Sequence, residues 1–160
     1  MKFKFNTYSG FTIMELMIAV AIAGIMAAVA LPSFSAMIKN NCMTTNANRL
    51  VASLQLAKSE AVKRRTDVDV TASGATVGNK WGAGWTIADG ADTIRVVQLT
   101  CGLDTTTFAG TDDSITYDSS GFTNSASTFT LCDDRTGEAG REITVNALGR
   151  PSTDNRHACP

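Results

Sequence analysis

The sequence predicts an α+β protein, in which one long N-terminal helix is followed by a head of antiparallel β-strands arranged as a sheet or a sandwich. Three features predict this architecture: an apolar stretch over residues 11–31, an amphipathic stretch over residues 32–65, and short alternating runs separated by turn residues over residues 66–160. Many short strands after one long helix are typical of the α+β class. The 160 residues leave room for one such head.

The first half of the predicted helix is an apolar stretch, residues 11–31, with Glu15 as its single charged residue. An α-helix crosses the hydrocarbon core of a bilayer in about 20 apolar residues. Lys2 and Lys4 precede the stretch, and basic residues favour the cytoplasmic side of a membrane. We therefore expect a single membrane-spanning helix, with its N-terminus in the cytoplasm and the rest of the chain on the other side.

An ordinary secretory signal is the alternative interpretation of this segment. Such a signal has a basic start, a short apolar stretch and a small-x-small cleavage site, and Ala28-Val29-Ala30 supplies the last of these. Glu15 argues against it, because a charge within an apolar helix costs roughly 2.5–3.5 kcal/mol on insertion scales. A segment that is removed after export has no reason to contain this charge.

The second half of the helix is amphipathic and extends to about Arg65. Small and apolar residues recur at alternating spacings of four and three, which places them on one helix face. They are Met43, Ala47, Leu50, Leu54, Ala57 and Ala61. We expect this stripe to pack against the head, while Asn46, Ser53 and Glu60 fall mostly outside it.

Gly24 and Pro32 predict a local break or bend in the long helix. Proline in a helix interior costs about 3 kcal/mol or more, and glycine costs up to ~1 kcal/mol relative to alanine. An equally acceptable interpretation is that Pro32 marks the point at which the helix leaves the membrane.

The head, residues 66–160, is predicted to consist of short strands. Val68 and Val70 alternate with aspartates, a period-two pattern that is typical of a half-buried strand. The segment Asp89-Gly90-Ala91-Asp92 has the composition of a hairpin loop. The other predicted strands are residues 85–88, 93–99, 114–117, 128–132 and 142–145.

The four cysteines form an even set without a C-x-x-C pair. This pattern favours disulfides in an oxidising compartment over a zinc site. Three pairings are possible, and the spacing does not choose among them. We prefer Cys42–Cys101 and Cys132–Cys159, because the second bridge would pin the C-terminal tail.

Residue types suited to catalysis or metal binding are sparse. His157 is the only histidine in the sequence, and nothing near it resembles a nucleophile elbow. Asp112-Asp113 and Asp133-Asp134 lack the ligand spacing of a calcium loop and are interpreted as solvated loop carboxylates. We therefore predict no enzymatic activity, no cofactor and no metal site.

The charges are divided unequally along the chain. Residues 39–65 contain six basic residues and one acidic residue, a net charge of +5, whereas residues 66–160 contain six basic and thirteen acidic residues, a net charge of −7. Opposed potentials favour encounter and orientation. We expect the basic helix of one subunit to pack against the acidic head of a neighbour.

The segment Ser9-Gly10-Phe11-Thr12-Ile13-Met14-Glu15-Leu16 resembles the processing site of type IV pilins and type II secretion pseudopilins. The resemblance implies a leader peptide of residues 1–10, removed by a prepilin peptidase that cuts between Gly10 and Phe11, and N-methylation of Phe11. It implies that Glu15 meets the positive N-terminus of a neighbouring subunit during assembly. A residue that snorkels to the membrane surface is the alternative for Glu15. Gly24 and Pro32 match positions where pilin helices are locally weakened.

Three further segments are similar to the GspH/FimT/FimU group: residues 50–61, residues 81–85 and residues 143–150. The resemblance implies a minor pilin that primes type IV pilus assembly at or near the tip and supports twitching motility. Its implied partners are other minor pilins, the major pilin, the prepilin peptidase and the inner-membrane assembly platform. The implied location is the inner membrane, with a periplasmic head, and the extracellular pilus after assembly. We interpret Trp81 and Trp85 as packing residues.

Two alternatives stay open within this resemblance. One is a GspH-like pseudopilin of type II secretion, which shares the fold. The other is a DNA-binding minor pilin for natural transformation, since FimT-type proteins are described as contacting DNA through a G-R-x-R segment. Gly149-Arg150-Pro151-Ser152 keeps the first arginine and lacks the second, and Arg156 lies further on. The acidic head opposes this alternative, because DNA binding depends on clustered lysine and arginine.

Overall fold

The computed structural model describes residues 10–90, 92–99, 101, 106–135 and 139–159, apart from the side chains of residues 29–32, 139 and 156. Nearly all of the predicted leader lies outside these residues. Within the described part, one long helix precedes a short 3-10 helix and eight strands. The elements are α1 (Ile13–Arg64), β1 (Val68–Ala72), the 3-10 helix (Lys80–Ala83), β2 (Trp85–Ala88), β3 (Thr93–Val97), β4 (Thr107–Gly110), β5 (Ser114–Tyr117), β6 (Ser127–Cys132), β7 (Ala139–Val145) and β8 (Pro151–Ala158).

Helix α1 runs without interruption through Gly24 and Pro32. The helical assignment is thus continuous at both residues, whereas a bend near Pro32 stays a prediction. A proline removes one bond from the helical ladder, whereas the neighbouring turns keep theirs, and the surrounding alanine, leucine, isoleucine and methionine residues are mostly good helix formers. Melting of this stretch on assembly stays a prediction. The bounds of α1 agree within one residue with the predicted helix.

The chain divides into two compact units, the first ending at Ile38 and the second beginning at Lys39. The second unit contains two four-stranded sheets, with strand orders β3-β2-β1-β5 and β4-β6-β7-β8. All of their strand pairs are antiparallel. Strands β2 and β3 pair through the predicted hairpin loop. The predicted α+β class and the antiparallel head are therefore confirmed.

The apolar stripe of α1 forms the helical side of the core in the second unit. Each of its six residues is at most 2% exposed, and the same cluster includes residues from both sheets. Trp81 and Trp85 are buried with Phe129 and Phe108: the ring centroids of Trp81 and Phe129 lie 4.7 Å apart, and those of Trp85 and Phe108 lie 5.9 Å apart. The expected packing roles of the stripe and of the two tryptophans are confirmed.

Two polar residues of α1 are buried, contrary to the sequence expectation. Asn46 and Ser53 are 0% and 4% exposed, whereas they were expected to lie mostly outside the packed face. The Asn46 side chain donates a hydrogen bond to the Cys101 carbonyl oxygen at 3.3 Å. Burial of this amide is tolerated because it has a partner, so the packed face is wider than the apolar stripe.

Strands β4 and β8 were not predicted from the sequence. Strand β8 is an edge strand, and most of its described side chains are exposed. An exposed edge needs no alternation of polar and apolar residues, so its sequence lacks the period-two signal. Strand β4 contains one fully buried large side chain, Phe108, which is too little to reveal a strand.

Candidate functional site

The described side chains of residues 10–28 are all exposed. By length and composition, α1 is able to cross a membrane, and its most apolar window is not buried against the rest of the chain. A core helix of a soluble protein would bury such a window. The first half of α1 therefore requires an apolar environment that the described chain does not provide, such as a bilayer or the helices of other subunits.

Thr12 and Glu15 close the N-terminus of α1 as a capping box. The Thr12 hydroxyl accepts a hydrogen bond from the Glu15 backbone N–H at 3.2 Å. In return, Glu15 Oε2 accepts hydrogen bonds from the Thr12 backbone N–H and the Thr12 hydroxyl, both at 3.0 Å. Two otherwise unpaired groups of the helix end are thereby satisfied. Thr-x-x-Glu before an apolar run is the sequence signature of this role, which was not predicted because Glu15 was interpreted as an assembly residue.

Gly10 and Gly24 have open surroundings. A Cβ atom built on either glycine would meet no atom within 4 Å. Neither glycine is therefore required by packing within the described chain. Phe11 follows Gly10 and is 85% exposed, so the predicted Gly10–Phe11 cleavage site lies outside the packed part of the subunit.

The structure pairs Cys42 with Cys101 and Cys132 with Cys159, which is the preferred arrangement. The first bridge joins α1 to the segment after β3. The second joins the end of β6 to the residue after β8, so it passes over the intervening strand β7. A Cβ atom on Gly140 of β7 would contact both sulfur atoms of this bridge. A residue without a side chain is required at this crossing.

Lys39 and Arg64 of α1 pair with acidic residues of the head in the same chain. Lys39 Nζ lies 2.6 Å from Asp134, and Arg64 Nη1 lies 2.7 Å from Asp89. The hydrogen bond from Lys39 holds the pKa of the Asp134 carboxyl below its ordinary value. Some of the basic and acidic groups that were expected to pair between subunits therefore pair within one subunit.

Three of the four aspartates in the two aspartate pairs are in ion pairs, although the side chains of Asp113 and Asp134 stay 65% and 48% exposed. Asp113 pairs with Lys80, and Asp133 accepts three hydrogen bonds from Arg135. Partial burial alone would raise the pKa of the Asp133 carboxyl, but the hydrogen bonds and charge of Arg135 outweigh burial and lower it. No metal-ligand cluster is found among the described residues.

The proposed DNA-contact residues lie at the two ends of β8. Arg150 precedes the strand and is exposed, and its guanidinium has no partner among the described residues. The side chain of Arg156 lies outside the described residues. Of the two proposed contacts, the described side chains therefore provide only the exposed guanidinium of Arg150.

Comparisons with known proteins agree with this architecture. The family model described as "Type II transport protein GspH" matches residues 46–149, and that described as "Prokaryotic N-terminal methylation motif" matches residues 6–31. No curated protein sequence matches the chain significantly. A crystal structure of the type IV minor pilin FimU from Pseudomonas aeruginosa is similar, at 25% identity and a TM-score of 0.61, over 72% of this chain and 90% of that one. A second crystal form of FimU gives 25% identity and a TM-score of 0.57 over 69% and 91%.

One long apolar helix with an antiparallel β-head defines the class of type IV pilin-like proteins, either minor pilins or pseudopilins. Since the GspH family model covers well over half of the sequence, the chain belongs to the GspH family. Members of this class are structural subunits that assemble with other pilins and are anchored by the N-terminal helix.

Proposed function

We propose that this protein is a minor pilin that primes type IV pilus assembly at or near the tip and supports twitching motility. The observation that carries the proposal is the similarity to the minor pilin FimU over 90% of that chain. The exposed apolar half of α1 supports it, because a filament or a membrane supplies the environment this segment lacks.

The proposed assembly chemistry begins with removal of residues 1–10. Cleavage between Gly10 and Phe11 creates a positively charged α-amino group on Phe11, next to the capping box of Thr12 and Glu15. A carboxylate at membrane depth needs a partner, and the terminal amine of a neighbouring subunit provides one. Methylation of the amine keeps its positive charge.

Deletion of the gene tests this proposal. We expect few surface pili and little twitching in the deletion strain, with both restored by the wild-type gene. Normal piliation and twitching in the deletion strain would reject the priming role.

A pseudopilin of type II secretion is the second candidate function. The family match supports it, because the matching family is described as a type II transport protein. The two candidates differ in the phenotype of the same strain: loss of protein secretion with normal pili favours the pseudopilin, and loss of pili with normal secretion favours the minor pilin.

A further inference from the structure

Three exposed apolar side chains converge on one surface of the second unit. Val62 of α1, Phe122 of the loop between β5 and β6, and Leu148 of the turn between β7 and β8 are 48%, 46% and 52% exposed. Among the other described residues of this unit, only Val77 and Val96 are large apolar side chains with this much exposure. We call the surface formed by Val62, Phe122 and Leu148 the apolar patch.

Two glycines bring the three segments together. Gly121 has a φ of +80°, and a Cβ atom there would lie 3.1 Å from Val62 Cγ2, so this loop packs directly on α1. Gly149 has a φ of +68°, and its Cβ atom would contact the Gly121 carbonyl oxygen. Lys58 Nζ also donates a hydrogen bond to the Leu148 carbonyl oxygen at 2.7 Å. The backbones therefore pack closely and leave the apolar side chains at the surface.

The loop that presents Phe122 is fixed by its own hydrogen bonds. Asp118 Oδ1 accepts from the backbone N–H groups of Ser120 and Phe122, at 2.8 and 3.0 Å. The Asp118 N–H donates to the Phe122 carbonyl oxygen at 2.9 Å. A loop whose backbone is fixed in this way loses little backbone entropy on binding, and aromatic anchors dominate many protein interfaces.

The edge of the apolar patch is basic. Lys63 follows Val62 and its side chain is 75% exposed, with a contact of 3.4 Å to Glu60. Glu60 is bound more closely by Arg64, at 2.7 Å. Arg150, close to Leu148, is also exposed. The carboxylate of Asp118 is turned toward N–H groups of its own loop, so the surface favours a partner that combines apolar side chains with carboxylates.

We propose that the apolar patch docks the acidic head of an adjoining pilin-like subunit of different sequence. An acidic head is compatible with this fold, since residues 66–160 of this chain carry a net charge of −7. A contact between the patch of one copy and the head of another would repeat along an open filament. A chain that assembled with itself in this way would be the main filament component, which disagrees with a minor pilin. The inference that the partner is a different subunit therefore rests on the proposed function.

Photo-crosslinking in assembled filaments tests the proposal. The full-length chain would carry p-benzoylphenylalanine in place of Phe122, and a control would carry it in place of Val77, which is 90% exposed on another loop. After irradiation of sheared filaments, mass spectrometry identifies the adducts. We expect an adduct with a different pilin-like chain, in about fivefold or greater excess over the control.

A charge reversal adds a second measurement. Lys63→Glu combined with the probe at position 122 should lower the adduct by about threefold or more, because it repels a carboxylate-bearing partner. Arg95→Glu, an exposed basic residue on β3, should leave the adduct unchanged.

The outcomes separate this inference from the proposed function. A chain that is present in filaments but gives no adduct, equal adducts at both positions, or an adduct with lipid or a second copy overturns the docking proposal alone. A chain absent from filaments overturns both proposals.

Discussion

Glu15 has one observed role, as a helix cap, and one proposed role, in assembly, and the two depend on different properties of its side chain. In the single subunit its oxygen closes the capping box with Thr12, which requires an acceptor and no charge. In the proposed assembly step it meets a positively charged amine, which requires the charge. Both roles fit a position in the first helical turn, where the helix dipole favours an anion.

Glu15→Gln separates the two roles. Glutamine also closes a capping box, so we expect normal insertion and cleavage. Incorporation into sheared filaments, measured by immunoblot, should fall about tenfold or more, since an unpaired amine at membrane depth costs more than the 1.4 kcal/mol that a factor of ten represents.

Thr12→Ala is the matched control, because it removes the capping hydroxyl at a cost of about 1 kcal/mol and leaves the charge. Wild-type incorporation of the Glu15→Gln variant would show that the carboxylate acts only as a cap.

Gly140 is the residue over which the Cys132–Cys159 bridge passes. In Gly140→Ala, the new Cβ would lie 2.7 Å from the Leu131 carbonyl oxygen and 3.1 Å from Cys132 Sγ. We expect the free energy of unfolding to fall by about 1–3 kcal/mol through overpacking, with free thiols detected in part of the purified protein. Thr153→Ala, at an exposed position of β8, should have little effect, and equal stability of the two variants would contradict this account.

At the scale of elements, α1 is held to the head by the Cys42–Cys101 bridge and by the segment after β6. In that segment Arg135 Nη2 donates to Asn40 Oδ1 at 2.7 Å, while Lys39 pairs with Asp134.

The backbone conformation at the C-terminus of α1 is unfavourable for the residue found there, because Arg65 lies in the left-handed region with a φ of 57°. Glycine is the usual residue at such a helix end.

Arg65→Gly should raise the free energy of unfolding of residues 39–160 by about 1 kcal/mol, because glycine adopts the left-handed conformation without the Cβ penalty. Chemical denaturation measures the change, with Arg65→Ala as a control that removes the charge and keeps the Cβ. If Arg65→Ala raised the free energy of unfolding by a similar amount, the stabilisation would come from removal of the charge and not from the backbone conformation.

The Asp133–Arg135 contact predicts a stability change in acid. The pKa of Asp133 is lowered below its ordinary value of 3.8, so its contribution is present above pH 3.8 and is lost as the pH falls through the lowered pKa. Asp133→Asn should therefore destabilise the head at neutral pH and lose less stability on acidification. Thermal unfolding from pH 7 to pH 2 measures this change, with Asp67→Asn as an exposed control. If the melting temperatures of the wild type and Asp133→Asn fell in parallel with pH, the stabilising role of the Asp133–Arg135 contact would be contradicted.

At the scale of the whole molecule, the long helix, its buried stripe and most strands were predictable because each has a strong local period. The capping box was visible in Thr12 and Glu15 but was obscured by the assembly role assigned to Glu15. Strand β8 and the burial of Asn46 depend on tertiary partners, an edge pairing with β7 and the Cys101 carbonyl oxygen. Neither leaves a local pattern.

The charge of the whole head predicts weak or no DNA binding. Arg150 is the one proposed contact whose side chain is described, and the net charge of residues 66–160 is −7. We expect no mobility shift of double-stranded DNA by residues 39–160 even at low salt. A shift that falls steeply with salt and disappears in Arg150→Ala would instead support the DNA-binding alternative.

The N-terminus of the chain in isolated filaments tests the central claim most directly. Sheared filaments from a strain that expresses the tagged protein would be digested, and the N-terminal peptide identified by mass spectrometry. The account predicts a filament-bound chain that begins at Phe11 with a methylated amine. A soluble periplasmic chain that begins after Ala30, absent from filaments, would show that the apolar segment is an ordinary signal and would contradict it.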